Sequence, residues 1–424
     1  MILNRDIQPT IEKIKSLNFN YFEHTNMACG SSLYFLSGGT EPVIKLELVF
    51  DAGKANELNT SVASFTASMM NEGTKKRTGK ALIDELDYWG AHFQVKTFNE
   101  DAIATLYCLE KYLDGALPLF IEAITESIFP EKELTVLKRN AVERIKINNK
   151  KNEYICRTSF NEFIYGKDHP LGKKNSVENI NKIERNELLD FYKTNYLTGF
   201  KYAILTGNFN PQTILKIQSL IDSSPLEQFK VNNNNKQLPI QIFGKHQIEA
   251  PNKSQASLKI GKIGPNRKDA HFTDFQLLNL IFGGFFGSRL MKKIREDLGL
   301  TYGIHSYYEP GQILNIWCIE AEVNNKNKTL AVTEIYKELQ KISNKAISAK
   351  EIEVARNYLC GAILKSLDNP LSMSSRMKTH IDFELDADYM VKYIDEIYSV
   401  NSDSLSKVAA KHLSNEQIIE VVVS

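Results

Sequence analysis

Apolar and polar residues alternate between Val43 and Asp51, where Ile44, Leu46, Leu48 and Phe50 interleave with Lys45 and Glu47. That period of two predicts a half-buried antiparallel strand. Ser32 to Leu36 predicts a strand before it, across the turn Ser37-Gly38-Gly39-Thr40. The period then changes: Val62, Phe65 and Met69 recur at helical spacing, and Gly73-Thr74 ends the run ahead of a basic turn, Lys75-Lys76-Arg77. A helix over Gly79 to Tyr88 follows, then strands over His92 to Lys96 and Ala102 to Leu109, joined by the polar turn Asn99-Glu100-Asp101. Long helical patterns fill Leu113 to Ser127 and Glu131 to Asn149. Leu188 to Tyr196 predicts another helix and Tyr202 to Leu205 a strand stopped by Thr206-Gly207; Asn210-Pro211 carries the cap and first-turn proline of a further helix.

Val231 to Pro239, VNNNNKQLP, breaks this order, because consecutive asparagines disfavour helix and strand alike and a proline closes the stretch. Beyond it the pattern begins again. Ala256 to Ile260 matches the strand Val43 to Asp51, and Asp274 to Phe282 matches the helix Ala63 to Met70. Gly90 with His92-Phe93 corresponds to Gly299 with Thr301-Tyr302, and Leu106 to Glu110 is matched with Ile316 to Glu320. Arg139-Asn140 pairs with Arg356-Asn357, and both halves finish on a helix and a strand, Ile418 to Val423 in the second. The expectation is an α+β protein of two homologous domains, 1–230 and 240–424, with 231–239 as linker. Each would be an antiparallel sheet with helices packed on one side.

Length and charge agree with this and narrow the function. A chain of 424 residues suits two domains of ordinary size, and 52 Lys+Arg against 51 Asp+Glu leaves no net field for nucleic acid or an anionic membrane. Arg5 and Asp6 interrupt the N-terminus before an apolar stretch builds, and no apolar run approaches the ~18 residues of a membrane helix. A soluble, cytoplasmic protein without a secretory signal is expected. Its five cysteines, with no C-x-x-C pair, read as cytoplasmic thiols, and no two of its eight histidines are four apart.

The stretch Ser61 to Thr78, SVASFTASMMNEGTKKRT, carries the chemistry by what it lacks. Its frame resembles the inverted-zinc-motif peptidases, the group of insulysin, pitrilysin and the mitochondrial processing peptidases, whose helix reads H-x-x-E-H, then Met, then Gly-Thr and a basic turn. Aligned on Met69 and Gly73-Thr74, the histidine positions fall on Ser64 and Ser68 and the glutamate on Ala67. Hydroxyls are poor zinc ligands and alanine is no base. The later helix that bears the family's third ligand matches AVERIKI, Ala141 to Ile147, and puts Arg144 at the ligand position, with Glu143 one residue away. Read from the residues alone, Ser64, Ala67 and Ser68 are small side chains that pack a helix against its neighbours. His169-Pro170-Leu171-Gly172 resembles the family's His-Pro-Leu-Gly turn, and its histidine reads as a turn residue.

The second half resembles the family's substrate-binding signature. Gly283-Gly284-Phe285-Phe286-Gly287-Ser288-Arg289-Leu290 runs into Ile294-Arg295-Glu296-Asp297-Leu298-Gly299-Leu300-Thr301-Tyr302. The resemblance implies that Arg289 and Tyr302 reach across a closed chamber toward a zinc held elsewhere. There a guanidinium fork clamps a peptide carbonyl or carboxylate and a phenol donates to the oxyanion. Arg295 and Glu296 read as an ion pair or helix surface, and Phe282, Phe285 and Phe286 as core or an interface anchor. The resemblance therefore implies a zinc-free subunit that binds unfolded peptide beside an H-x-x-E-H partner of similar length, which carries the zinc. A structural scaffold like the core subunits of a respiratory complex, and a homodimeric peptide holder, remain as alternatives.

Overall fold

The structure, a computed structural model, describes residues 12–14, 21–230, 238–414 and 416–424. The expected linker lies outside the described residues from 231 to 237. The first half runs β1 (Glu23–Asn26), β2 (Ser32–Ser37), β3 (Val43–Phe50), α1 (Val62–Met69), α2 (Gly79–Tyr88), β4 (His92–Thr97), β5 (Ala102–Leu109), α3 (Leu113–Thr125) and α4 (Glu131–Asn148). It continues with α5 (Asn152–Tyr165), α6 (Val177–Lys182), α7 (Arg185–Tyr192), β6 (Phe200–Gly207) and α8 (Pro211–Asp222). The second runs β7 (Gly244–Ile248), β8 (Gln255–Ile263), α9 (Phe272–Asn279), β9 (Thr301–Glu309), β10 (Ile316–Asn324), α10 (Lys328–Asn344), α11 (Ala349–Ser366), α12 (Pro370–Asp382), α13 (Tyr389–Ser399), α14 (Ser402–His412) and β11 (Ile419–Val423).

Two sheets result, ordered β1-β2-β6-β3-β5-β4 and β7-β11-β8-β10-β9. Leaving out β1, they are the same sheet twice. In each, the last strand returns parallel to the first (β2 with β6, β7 with β11), and every other pairing is antiparallel. The duplication expected from the element order is therefore present in the topology, with one change of register. His92 faces Tyr107 across its hairpin while Thr301 faces Val323 across the other. Matching the hairpins at their first strands thus sets Tyr107 against Val323 rather than Trp317. The second hairpin has longer arms, so a match on the residue pattern around Cys108 and Cys318 slips along the strand.

Each half packs its own helices on one face of its sheet, around Leu46, Phe50, Phe120 and Phe200 in the first and Ile260, Phe282, Trp317 and Ile335 in the second. The opposite faces are covered too. Cys156, Phe160 and Ile164, a stripe at four-residue spacing on α5, pack on Cys318, Ile419, Val421 and Val423 of the second sheet. In exchange Met373 and Met377 of α12 pack on Val49, Tyr202 and Ile204 of the first. Each half thus lends one helix to the other. Polar bonds follow the exchange: Asp101 takes Lys201 at 2.8 Å and Lys378 of α12 at 2.5 Å, and Lys45 donates to Ser374 at 2.7 Å.

Candidate functional site

α1 is a short helix whose N-terminus is tied down by a buried acid. The backbone N–H groups of Ser61 and Ala63 donate to the Glu57 carboxylate at 3.2 and 3.0 Å, which satisfies two of the donors a helix start leaves open. Glu57 is only 5% exposed, and burial lifts its carboxyl to about 7 against the pull of those N–H groups, Lys54 and Lys173. At the other end Gly73, at φ 146°, opens the turn and the Thr74 hydroxyl donates to the buried Glu122 at 2.5 Å. The Gly-Thr pair is thereby a structural stop.

Between these ends, Ser64 and Ser68 return their hydroxyls to their own helix, to the carbonyls of Ser61 (3.1 Å) and Ser64 (2.9 Å), and Ala67 is buried. On α4, which packs against α1, Arg144 is exposed and Glu143 pairs with Lys146 at 2.7 Å. Among the described residues no group of three His, Cys, Asp or Glu side chains is arranged to hold a metal. His169 is buried in its turn, accepts from the Leu171 N–H at 3.1 Å and stacks on Tyr165.

Ser64 lines a cavity of about 420 Å³ between the halves, with Glu57 and Lys54 on one side, Tyr154, Arg157 and Asn161 of α5 on another, and Lys259 and Glu309 beyond. Lys259 also lines a larger cavity, about 650 Å³, floored by β8 and β10 and rimmed by β9. Its ammonium meets Glu320 at 2.6 Å and donates to the Tyr307 hydroxyl at 2.8 Å, over the ring of Phe160. Burial pulls Lys259 down, but its surroundings, Glu320 among them, more than offset that. The floor also bears Glu322, raised by burial and by the charges of Glu153 and Glu320.

The two signature residues have different fates. Tyr302 stands at the start of β9, 97% exposed, on the rim of the larger cavity. β9 is the last strand of its sheet and has no strand partner on the side away from β10 among the described residues, although beside Tyr302 the N–H and carbonyl of Gly303 are taken by the Thr301 hydroxyl at 3.1 and 2.8 Å. Arg289 lines neither cavity. It forms a forked pair with Glu351 at 2.7 and 3.2 Å, half-buried, and Glu351 in turn closes the capping box of α11 with Ser348. The structure does not bring Arg289 and Tyr302 into one cavity. Gly283, ahead of Arg289, serves packing: a Cβ there would lie 2.6 Å from the Ser306 hydroxyl and 2.7 Å from its backbone nitrogen, so only glycine lets the π-helical turn Leu280–Gly284 approach β9. Arg295 lies over the ring of Phe286 and Glu296 is exposed, so of the two expected readings, ion pair or helix surface, both residues belong to the helix surface; Phe282 is core.

Residues 37–171 match the family model described as insulinase (peptidase family M16), and residues 182–359 match the peptidase M16 inactive domain. The chain belongs to peptidase family M16. It is 25% identical over 366 residues to an uncharacterized zinc protease of Rickettsia bellii, covering 86% of this chain and 81% of that one. A Helicobacter pylori relative described as a non-peptidase homolog, YmxG, is 21% identical over 81% of this chain and 79% of its own. The crystal structure of a peptidase M16 inactive domain from Pseudomonas fluorescens superposes with a TM-score of 0.87 at 22% identity, covering 95% of this chain and 98% of that one. Glu57, Lys259 and the α5 side chains had not been singled out in the sequence. For Glu57 the signal was available, an acid just ahead of a helix start.

Proposed function

We propose that this chain is a zinc-free, non-catalytic subunit of a heterodimeric M16 peptidase. It pairs with an H-x-x-E-H chain of similar length that carries the zinc, and holds an unfolded peptide along the open edge of β9. The observation that carries the reading is the combination of Ser64, Ala67 and Ser68 at the ligand positions with a fully presented Tyr302 beside a free strand edge. Nothing on α1 activates water, while Tyr302 is free to donate to an oxyanion on a partner's side of a chamber. No helix among the described residues is long and apolar enough to cross a membrane, and the proposed setting is cytoplasmic.

A second reading, a scaffold with no part in turnover, is favoured by Arg289, whose fork is already filled by Glu351. Co-expression with an H-x-x-E-H chain and zinc analysis separate the two. The heterodimer reading expects no stoichiometric zinc on the isolated chain, one zinc per complex, and cleavage of an unstructured peptide only by the complex. Metal-dependent turnover by the isolated chain, or a tight zinc lost on mutating Glu143, overturns both. A complex as active with Tyr302→Phe as without it leaves the scaffold.

A further inference from the structure

On the face of the second sheet away from α5 lies a cavity of about 390 Å³ that the peptide site does not use. Arg267 from the loop after β8, Asn279 of α9, Tyr308 of β9, Arg376 of α12, and Tyr389 and Tyr393 of α13 line it. No carboxylate does. Arg267 is held between the rings of Phe272 and Phe383, and its Nε is buried without an acceptor. Arg376 gives Nε to the Ser366 hydroxyl and turns Nη1 to the Met390 sulfur at 3.7 Å, a weak acceptor. Neither arginine forms an ion pair among the described residues.

The carboxylates whose fields reach this cluster are engaged elsewhere: Asp269 accepts from the Asn266 N–H at 2.9 Å and Asp386 pairs with Lys392 at 2.8 Å. Burial and Arg267 together hold Arg376 below its usual range. Burial and both arginines push the neighbouring His380 down to about 4. Two half-buried guanidinium groups thus share a cavity with no carboxylate in its lining, although paired or hydrogen-bonded partners are the rule for charge withdrawn from water.

We propose that this cavity binds a small organic oxyanion, a carboxylate or phosphate borne on a flat ring, with the anionic head between Arg267 and Arg376. Guanidinium forks match the geometry of such heads. The half-buried ring of Tyr389, itself stacked on buried Tyr393 within 5° at 5.8 Å, brings an aromatic surface to the same cavity for a planar body. The cavity is of the size that encloses a small molecule, on the order of 300–1,000 Å³.

Calorimetric titration of the full chain tests this with phenyl phosphate, benzoate, inorganic phosphate and phenol. Saturable binding of the oxyanions, tightest for those with a ring and absent for phenol, is expected, and the order of phenyl phosphate and benzoate assigns the head group. Arg267→Gln and Arg376→Gln each weaken phenyl phosphate by about ten- to a hundredfold, while Tyr302→Phe changes nothing. Should the Gln variants fail to fold, Arg376→Lys, which keeps charge and loses the fork, reads the same contact. In the unmutated chain, the His380 ring proton resonance titrates at higher pH once phenyl phosphate is bound. The proposal is overturned if none of the three oxyanions binds saturably or moves the His380 titration, or if the double Gln variant binds as tightly as wild type.

Discussion

Glu57→Gln is the substitution whose outcome follows most directly from the geometry. The Glu57 carboxylate is almost fully buried under α1 and accepts two backbone N–H groups, yet burial still carries its pKa from an ordinary 4.5 to about 7. A carboxyl whose folded pKa lies above its unfolded one binds more proton in the native state between those values. Stability therefore falls as pH rises from about 4.5 to about 7, at up to about 1.4 kcal/mol per pH unit. Over the whole window the cost of ionising Glu57 inside the fold is about 3 kcal/mol. A glutamine cannot ionise. At pH 5, where Glu57 is largely neutral, the variant is expected to trail wild type by about 1 kcal/mol, because its amide offers one acceptor to two donors. By pH 8 the balance shifts in its favour by about 3 kcal/mol. Buried His169 and His380 and half-buried His412, which desolvation pulls down, give the opposite pH dependence below about 6.5, but they are common to both proteins and cancel in the difference. Urea unfolding followed by the fluorescence of Trp89 and Trp317, at pH 5, 6, 7 and 8, measures it. A difference that stays flat within about 0.5 kcal/mol across that range would falsify the account of Glu57 as a buried, proton-binding cap.

Asp101→Asn leaves Lys378 and Lys201 facing each other across the exchanged helix and is expected to cost about 3 kcal/mol by urea unfolding at pH 7; a cost under about 0.5 kcal/mol sinks the buried-pair argument. Arg289→Ala breaks a half-exposed forked pair while the Ser348–Glu351 capping box keeps its own bonds, for about 1 kcal/mol, whereas Tyr302→Phe leaves the melting temperature unchanged; equal melting curves for the Arg289 variant and wild type would contradict this. In the reconstituted heterodimer Tyr302→Phe lowers kcat by ~10²–10³ with KM little changed, read by steady-state peptide cleavage, and an unchanged kcat removes the phenol from the chemistry.

Much of the fold was legible because its signals are local. The strand β3, the Asn210-Pro211 cap of α8 and the Gly73-Thr74 stop are each written within a few residues and lie where their patterns do, although β3, expected to be half-buried, is covered on both faces because α12 packs on its second side. What failed was non-local. The apolar stripe of α5 can be read as a stripe, but nothing in Cys156, Phe160 and Ile164 says that the sheet beneath them belongs to the other half. The same blindness misplaced β10 against β5, because a repeat pattern carries no information on hairpin length. Of the site, that Ser64, Ala67 and Ser68 offer neither imidazole nor carboxylate is plain from the residues, while their standing at ligand positions is what the resemblance implies. The separation of Arg289 from Tyr302 could not be read there, because Glu351, distant in sequence, takes the guanidinium.

The helix exchange also bears on how a peptide reaches the site. Moving the halves apart would strip α5 from the second sheet and α12 from the first, exposing both apolar clusters and pulling Lys378 from Asp101. Uncovering aliphatic and aromatic side chains costs on the order of 1.5–3 kcal/mol for each one fully exposed, so hinge opening within this chain is suppressed by several such terms at once. The wall formed by β9, Tyr302 and the larger cavity is therefore in place without any movement of the halves. Under the heterodimer proposal, a chamber would then open and close against the second chain and not by a hinge within this one. The two halves of this protein would act as one rigid jaw, and β9 would set the direction of the peptide it holds.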